Sequence, residues 1–420
     1  MLNSFLFKKV PIIYDNKYLP TQQIKPILTR GFNINSMAKH TTIPLGPQHP
    51  ALVEPEHLKL EVDGENVINA DIYLGYLHRG IEELMQKRNY TQNIYVAERI
   101  CGICSACHTL CYSEAVESIL DIEAPLRAKY IRTIISELER LHSHLLWLGV
   151  AGYEIGIDTI FQSAWKDREY VMEILEEISG NRVNYAMNTI GGVRRDISQT
   201  HNEKLLKIMI HLEKRANYYI KVFTHDSTIL KRTQGVGILT AHDAKKYSAA
   251  GPLARASNIK FDIRNENYAA YNLINWNEFT NSGCDISARA IVRLNEVIDS
   301  SKIITQCINQ MTTGPINVKT SPIVPKAETT FRVEAPRGEL FYYVKSNGTD
   351  TPERVRMRPP TYANLLALKC MLKGAKISDV PIIVASIDPC FSCTDRITIL
   401  DTNTKIKKTI TENQLRTFKL

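Results

Sequence analysis

Arg99-Ile100-Cys101-Gly102-Ile103-Cys104-Ser105-Ala106-Cys107-His108 and, far downstream, Asp388-Pro389-Cys390-Phe391-Ser392-Cys393-Thr394-Asp395-Arg396 are the two stretches on which the reading of this chain turns. Each holds a C-x-x-C pair, a spacing that lets two thiolates turn onto one metal. Gly102 inside the first pair suggests a tight backbone approach, and Pro389 fixes the chain entering the second. Thiolates are soft ligands and select zinc, iron–sulfur or nickel over hard cations. A zinc ribbon places its two pairs about 15–20 residues apart, whereas these lie nearly the whole chain apart. A redox dithiol is the other plain reading, but Cys101 does not open a helix after a strand as a thioredoxin-like unit requires. Ligand type and spacing alone leave a buried catalytic metal, a structural zinc and two unrelated pairs open.

The remaining cysteines are Cys107, Cys111, Cys284, Cys307 and Cys370. An odd total of nine, without the spacing of a disulfide scaffold, reads as reduced thiols in a reducing compartment. A helix after Cys104 would put Cys107 and Cys111 on its stripe; both read as small core residues, as do the other three. The net charge of +8 is spread along the chain, with no basic block and no aromatic–basic interleaving. Nucleic acid is therefore not an expected partner. No apolar stretch approaches the roughly 20 residues of a membrane-spanning helix, so membrane contact is expected through partner subunits or a peripheral surface.

Period and punctuation give the fold. Leu58, Leu60 and Val62 alternate with polar residues and Asp63-Gly64 supplies a hairpin turn, so Thr41 to about Ile72 reads as strands. Apolar residues recur at three and four over Leu126–Leu148, Phe161–Ile178, Asn202–Leu230 and Ser287–Met311, which predicts long helices. Short strands and turns follow from Phe331, then a helix from about Tyr362 to Leu372. Val380–Ile387 reads as a buried strand, and the tail as a small hairpin, Ile397–Leu400 with Ile406–Ile410. The expectation is an α+β fold: a central long-helix bundle with small peripheral β-sheets.

With their flanks, the two cysteine motifs resemble the nickel-binding signatures of [NiFe] hydrogenase large subunits: Arg99-x-Cys101-Gly102-x-Cys104-x-x-x-His108 with Asp388-Pro389-Cys390-x-x-Cys393-x-x-Arg396. Further matches are Gly46-Pro47-Gln48-His49-Pro50, His78-Arg79-Gly80-Ile81-Glu82, Gly191-Gly192-Val193-Arg194-Arg195-Asp196, Glu334-Ala335-Pro336-Arg337-Gly338-Glu339 and Arg358-Pro359-Pro360. Several are shared with the 49-kDa quinone-site subunit of respiratory complex I, a relative that typically lacks the four thiolates. The combination looks most like the group 4, energy-converting membrane-bound hydrogenases of the Ech and formate-hydrogenlyase type.

That resemblance implies reversible heterolytic cleavage of hydrogen, with Cys101 and Cys390 as terminal thiolates on nickel. Cys104 and Cys393 would bridge nickel to an iron carrying carbon monoxide and cyanide. It implies that Cys390 takes the proton and Glu54 passes it on, and that Arg337 donates hydrogen bonds to the iron's ligands. His108 would support Cys104. Glu82 would lie near a magnesium or iron ion, although Arg396 stands where other branches have the histidine that closes that site. Alone, Glu54 would be a solvated loop acid, Arg337 a surface arginine, Glu82 an exposed helix acid and His108 a structural histidine.

With all four motif thiolates assigned, no iron–sulfur motif remains, so such clusters are expected in a partner small subunit, fed by a ferredoxin-type carrier and coupled to antiporter-like membrane subunits. The alternative on the same resemblance is a subunit of complex I 49-kDa type at a quinone-reducing site. Residues 37–396 read as the hydrogenase-like domain. The acid-poor first 36 residues carry Lys8, Lys9, Lys17, Lys25 and Arg30 against Asp15 alone, and read as a targeting segment or a tail. Residues 397–420 follow the second motif directly, where many relatives are cut once nickel is loaded; they are expected to be removed. The location implied is a peripheral membrane complex on the cytoplasmic or organelle-matrix face, in a mitochondrion or hydrogenosome if residues 1–36 are a transit peptide.

Overall fold

Alternation at a period of two builds the first sheet in the computed structural model, which describes residues 40–395 apart from Ala51 and Val53, together with the backbone of 399–400 and 407–408. Strands β1 (Thr41–Leu45), β2 (His57–Asp63) and β3 (Asn66–Tyr73) pair antiparallel in that order. Leu58, Leu60 and Val62 face the core, as their alternation requires. Helices α1 (Ile81–Met85) and α2 (Tyr90–Glu98) lead to the first cysteine pair, and α3 (Ser105–Leu120) leaves it. Asn89 and Gln92 close a reciprocal capping box on α2.

The bundle consists of α4 (Leu126–Ile155), α5 (Asp158–Ser179), α6 (Gln199–His225) and, after the short α7 (Ser227–Thr233), α8 (Ala241–Lys246) and α9 (Gly251–Arg255), the long α10 (Ile286–Gln310). Two-residue strands β4 (Asn188–Thr189) and β5 (Gly192–Val193) form a small hairpin between α5 and α6. The pattern over Asn202–Leu230 predicts one helix, but the chain breaks at Asp226. That residue is extended, and its carboxylate accepts from the amides of Thr228 and Ile229 to cap α7.

The second sheet, β6 (Ala327–Ala335), β7 (Gly338–Ser346) and β8 (Pro352–Arg358), is an antiparallel meander over α3. Helix α11 (Pro360–Leu372) follows, starting on a proline as helices tolerate. Val380–Ile387, expected to be a strand, is instead helix α12 (Val380–Ser386) with a proline in its first turn. Its apolar run is buried except at Pro381, and a run that short and uniformly apolar carries no period to separate strand from helix. The four-residue α13 (Phe391–Thr394) carries the second pair. Beyond it, β9 (Ile399–Leu400) and β10 (Lys407–Lys408) pair antiparallel where the tail hairpin was expected. Arg396, residues 1–36 and the rest of the tail lie outside the described residues. Among those described, no helix is long and apolar enough to cross a membrane.

Helix α4 is buried on nearly every side, so its polar residues must find partners inside. Arg132 pairs with Glu114 at 3.0 Å, and Glu117 holds its other side. Arg140 pairs with Glu137 at 3.2 Å, and His144 meets Glu296 of α10 at 2.8 Å. Arg255 then joins Glu296, Glu334 and Asp262 at 2.9, 2.8 and 3.2 Å. Apart from the partly exposed Glu114 these side chains are buried, and the Arg255 pairs tie bundle to sheet.

Candidate metal centre

The two cysteine pairs converge. Cys101 Sγ lies 3.3 Å from Cys390 Sγ and Cys104 Sγ lies 3.9 Å from Cys393 Sγ, with 2.7 Å between Cys390 and Cys393. The sulfurs of Cys101, Cys104 and Cys393 all lie within 4.8 Å of one another. All four cysteines are free and buried. Among the described residues this is the one group of three or more side chains arranged to hold a metal ion.

Local structure explains the convergence. Cys104 is the residue before α3, and Cys101 Sγ accepts the amides of Ile103 and Cys104 at 3.2 and 3.4 Å. Gly102 is not what permits this: its backbone is not left-handed, and an added Cβ would make ordinary contact with Val183 at 3.6 Å. Glu139 of α4 holds the start of α3 from below, accepting the amides of Ala106 and Cys107 at 2.6 and 2.9 Å. Cys390 starts α13 in the same way; its amide donates to Thr361 Oγ1 at 3.1 Å. Arg79 joins the two loops on their outer side, donating to the carbonyls of Arg99, Ile100 and Ser392 at 2.8, 2.6 and 3.1 Å. Glu139, Arg79 and Thr361 carry no signal of these contacts in the sequence, because each acts on a segment far from it in the chain.

Electrostatics separates this cluster from the ion network. Hydrogen bonds from Cys104, Cys390 and Cys393 hold Cys101 well below the usual thiol range, while the same company pushes Cys104 up and burial pushes Cys393 up. The sulfurs compete for negative charge that the protein does not itself neutralise. A soft cation would let all four be thiolates, which is the chemistry of a thiolate metal site.

The other expected residues divide. Arg337 is buried over the cluster, donating through Nε to the Asp388 carbonyl at 2.7 Å and through Nη2 to its carboxylate at 2.8 Å; Nη1 has no hydrogen-bond partner. Its aim depends on two glycines packed back to back: a Cβ on Gly251 would fall 2.3 Å from the Arg337 carbonyl oxygen, and one on Gly338 would fall 2.6 Å from the Gly251 nitrogen. Glu54 is half-buried and accepts from the amides of Phe391 and Ser392, the latter at 3.1 Å, and from Ser392 Oγ at 3.3 Å. Ser392 Oγ is in turn 3.3 Å from Cys390 Sγ, so one hydroxyl links thiol to carboxyl. Burial pushes the Glu54 carboxyl above its usual range.

His108 was expected beside Cys104, yet its Nδ1 meets Tyr342 Oη at 2.8 Å and its Nε2 has no hydrogen-bond partner. The tyrosine takes one ring nitrogen, and no hydrogen bond joins His108 to the Cys104 sulfur. Glu82 is paired with Arg356 at 2.8 Å and accepts the Met357 amide at 3.1 Å, outside the sulfur group. An arginine occupies the carboxylate where a nearby cation was expected. Cys107 and Cys111 are buried core thiols, Cys111 Sγ donating to the Phe331 carbonyl at 3.4 Å.

Residues 79–151, which carry the first pair, match the nickel-dependent hydrogenase family. Residues 154–327 and 317–396 match the family described as respiratory-chain NADH dehydrogenase, 49 Kd subunit. The chain is 41% identical over 357 residues to the carbon monoxide-induced hydrogenase of Rhodospirillum rubrum, covering 84% of this chain and 99% of that protein. The chain belongs to this family of hydrogenase large subunits and complex I 49-kDa subunits. Within the family it is also 42% identical over 390 residues to the membrane-bound hydrogenase subunit alpha of Pyrococcus furiosus, covering 89% and 91% of the two chains. The solved structure of an archaeal respiratory membrane complex, the membrane-bound sulfane sulfur reductase, shares the fold. Its matching chain has a TM-score of 0.81 and 31% identity, with 85% of this chain and 99% of that one covered.

Proposed function

We propose that this chain is the catalytic subunit of an energy-converting [NiFe] hydrogenase, interconverting hydrogen with protons and electrons. The observation that carries the reading is the convergence of four buried free thiols from opposite ends of the fold. They fit a nickel–iron centre in number and softness, and in the charge they leave uncompensated. Cys101 and Cys390 would hold nickel as terminal ligands, and Cys104 and Cys393 would bridge it to the iron. Arg337, with its buried Nη1 unpartnered, would be the donor available to the carbon monoxide and cyanide of such a centre. The centre, when bound, supplies the site for heterolytic cleavage of hydrogen.

The chain's own residues move the proton. Cys390 Sγ, Ser392 Oγ and Glu54 stand in hydrogen-bonding sequence, so a proton leaving the thiol reaches a carboxyl through one hydroxyl. No iron–sulfur ligands remain among the motifs, so electrons would pass through a small subunit to a ferredoxin-type carrier. The names of the relatives, a membrane-bound hydrogenase and a respiratory membrane complex, support peripheral association with membrane subunits; the cytoplasmic or matrix face is part of the proposal. The match to the 49-kDa family favours a second reading, a quinone-reducing subunit, against which the complete thiol set stands.

Replacing one bridging ligand tests the reading. Cys393→Ser in the purified complex is expected to lower nickel content and hydrogen-dependent dye reduction to background while the chain stays folded. Full activity with normal nickel content would refute the assignment.

A further inference from the structure

Helix α12 ends at Ser386, shortly before Cys390, so whatever fixes its last turn fixes where the second cysteine loop begins. The last carbonyls of a helix have no acceptor's partner within it and need donors from elsewhere. Here the bundle supplies them. Trp147 of α4 donates through Nε1 to the Ala385 carbonyl at 2.8 Å. From α10, Arg293 donates through Nη2 to the Ser386 carbonyl at 3.1 Å, and Arg289 through Nη1 to Ser386 Oγ at 2.9 Å. That hydroxyl donates in turn to the Ile383 carbonyl at 2.7 Å. The three donor side chains are buried, and the Arg293 guanidinium lies over the Trp147 ring, 4.2 Å from its centre. Arg289 is held at the same time by the carbonyls of Gly237 and Cys284 at 2.6 and 3.2 Å.

Two guanidiniums are more than a helix end requires. Arg289 and Arg293 stand one turn apart on α10, and their hydrogen bonds among the described residues go to carbonyls, a hydroxyl and a thioether, never to a carboxylate. Burial pushes Arg289 down to about 9 and Arg293 to about 10, which leaves both charged at neutral pH. Neighbouring buried cations cost the fold stability. The acid within electrostatic reach of Arg293 that lies on the cysteine loop is Asp388. Asp388 stands at φ +54°, a left-handed conformation that a side chain other than glycine keeps only where its surroundings enforce it. It is also the residue on which Arg337 hangs, and its Oδ2 is buried without a hydrogen-bond partner.

We propose that Arg293 and Arg289, with Trp147, are the positioning residues of the second cysteine loop. They hold the carbonyl end of α12 so that the turn at Asp388 presents its carboxylate to Arg337 and brings Cys390 to the other sulfurs. Arg293 adds positive charge near the Asp388 carboxylate, which a neutral donor would not. The inference rests on the hydrogenase reading for its purpose, but the placement of the loop is tested without the metals.

The test compares Arg293→Met, apolar and of similar volume, with Arg293→Lys, which keeps the charge. In the metal-free full chain, amide hydrogen exchange over residues 387–394 should speed up about tenfold or more in Arg293→Met. Residues 101–108 should exchange as in the parent, and Arg293→Lys should regain much of the protection. Unchanged exchange over 387–394, or faster exchange spread evenly through α4 and α10, overturns the proposal. A lysine variant no better than the methionine one overturns the role of the charge. Should Arg293→Met not fold, Trp147→Phe, which keeps a ring under Arg293 and removes one donor, is read over the same residues with the same criteria. In the assembled complex, the infrared bands of carbon monoxide and cyanide should shift in Arg293→Met and return in Arg293→Lys; bands unmoved by Arg293→Met overturn the link to the metal centre. A parent complex without such bands would contradict the hydrogenase reading, while the exchange result would still decide whether the loop is held from α10.

Discussion

Two fully buried regions of this molecule handle charge in opposite ways. Around Arg255, Glu296, Glu334, Asp262, Arg264 and Glu137, every acid meets a guanidinium. Arg255 and His144 overcome the burial of Glu296 and hold its carboxyl far below the usual range. Around Cys101, Cys104, Cys390 and Cys393, groups that can carry negative charge crowd together, and Arg337 above them is already engaged by Asp388. The paired region is structure, complete without any addition. The crowded one is completed only by a cation, and that incompleteness marks it as the site. Glu56 belongs with the second kind: buried and titratable, its carboxyl oxygens without a hydrogen-bond partner among the described residues.

If the comparison is right, the two regions fail differently. Arg255→Ala removes the guanidinium from two buried carboxylates, Glu296 and Glu334, and should destabilise the fold by about 3–5 kcal/mol, read by urea unfolding of the metal-free chain. A change near zero would show that the network is not complete in the sense used here. Arg79→Ala unties the two cysteine loops without touching a sulfur. It should leave unfolding almost unchanged and weaken nickel retention against a chelator by about 10- to 100-fold; unaltered retention would mean that the loops hold their own positions. The smallest effect is on acid stability. Since the folded Glu296 carboxyl is depressed, its stabilisation is present above the unfolded value of about 4.3 and lost as pH falls below it toward the folded value. Glu296→Gln should flatten the loss of stability below about pH 4, and an unchanged acid slope would place that loss elsewhere.

Most of this architecture can be read from local pattern. The helical periods over Leu126–Leu148 and Ser287–Met311 correspond to α4 and α10, and Leu58, Leu60 and Val62 to the buried face of β2. Reading fails where pattern is mute, as at the all-apolar Val380–Ile387, and where one side chain interrupts a period, as at Asp226. The cysteines of the site were legible because C-x-x-C is a local spacing. Glu139, Arg79 and Thr361 were not, since each is defined by a contact across the fold. Glu82 shows the converse: its motif is visible, but its partner Arg356 is set by the docking of α1 on β8.

The central claim is that the crowded thiols are the ligands of one nickel–iron centre. Metal analysis of the purified complex tests it most directly. The expected result is nickel bound to this chain together with one iron that is not part of an iron–sulfur cluster, both lost together in Cys393→Ser. Zinc in their place, or no metal with the four thiols freely titratable, would contradict it.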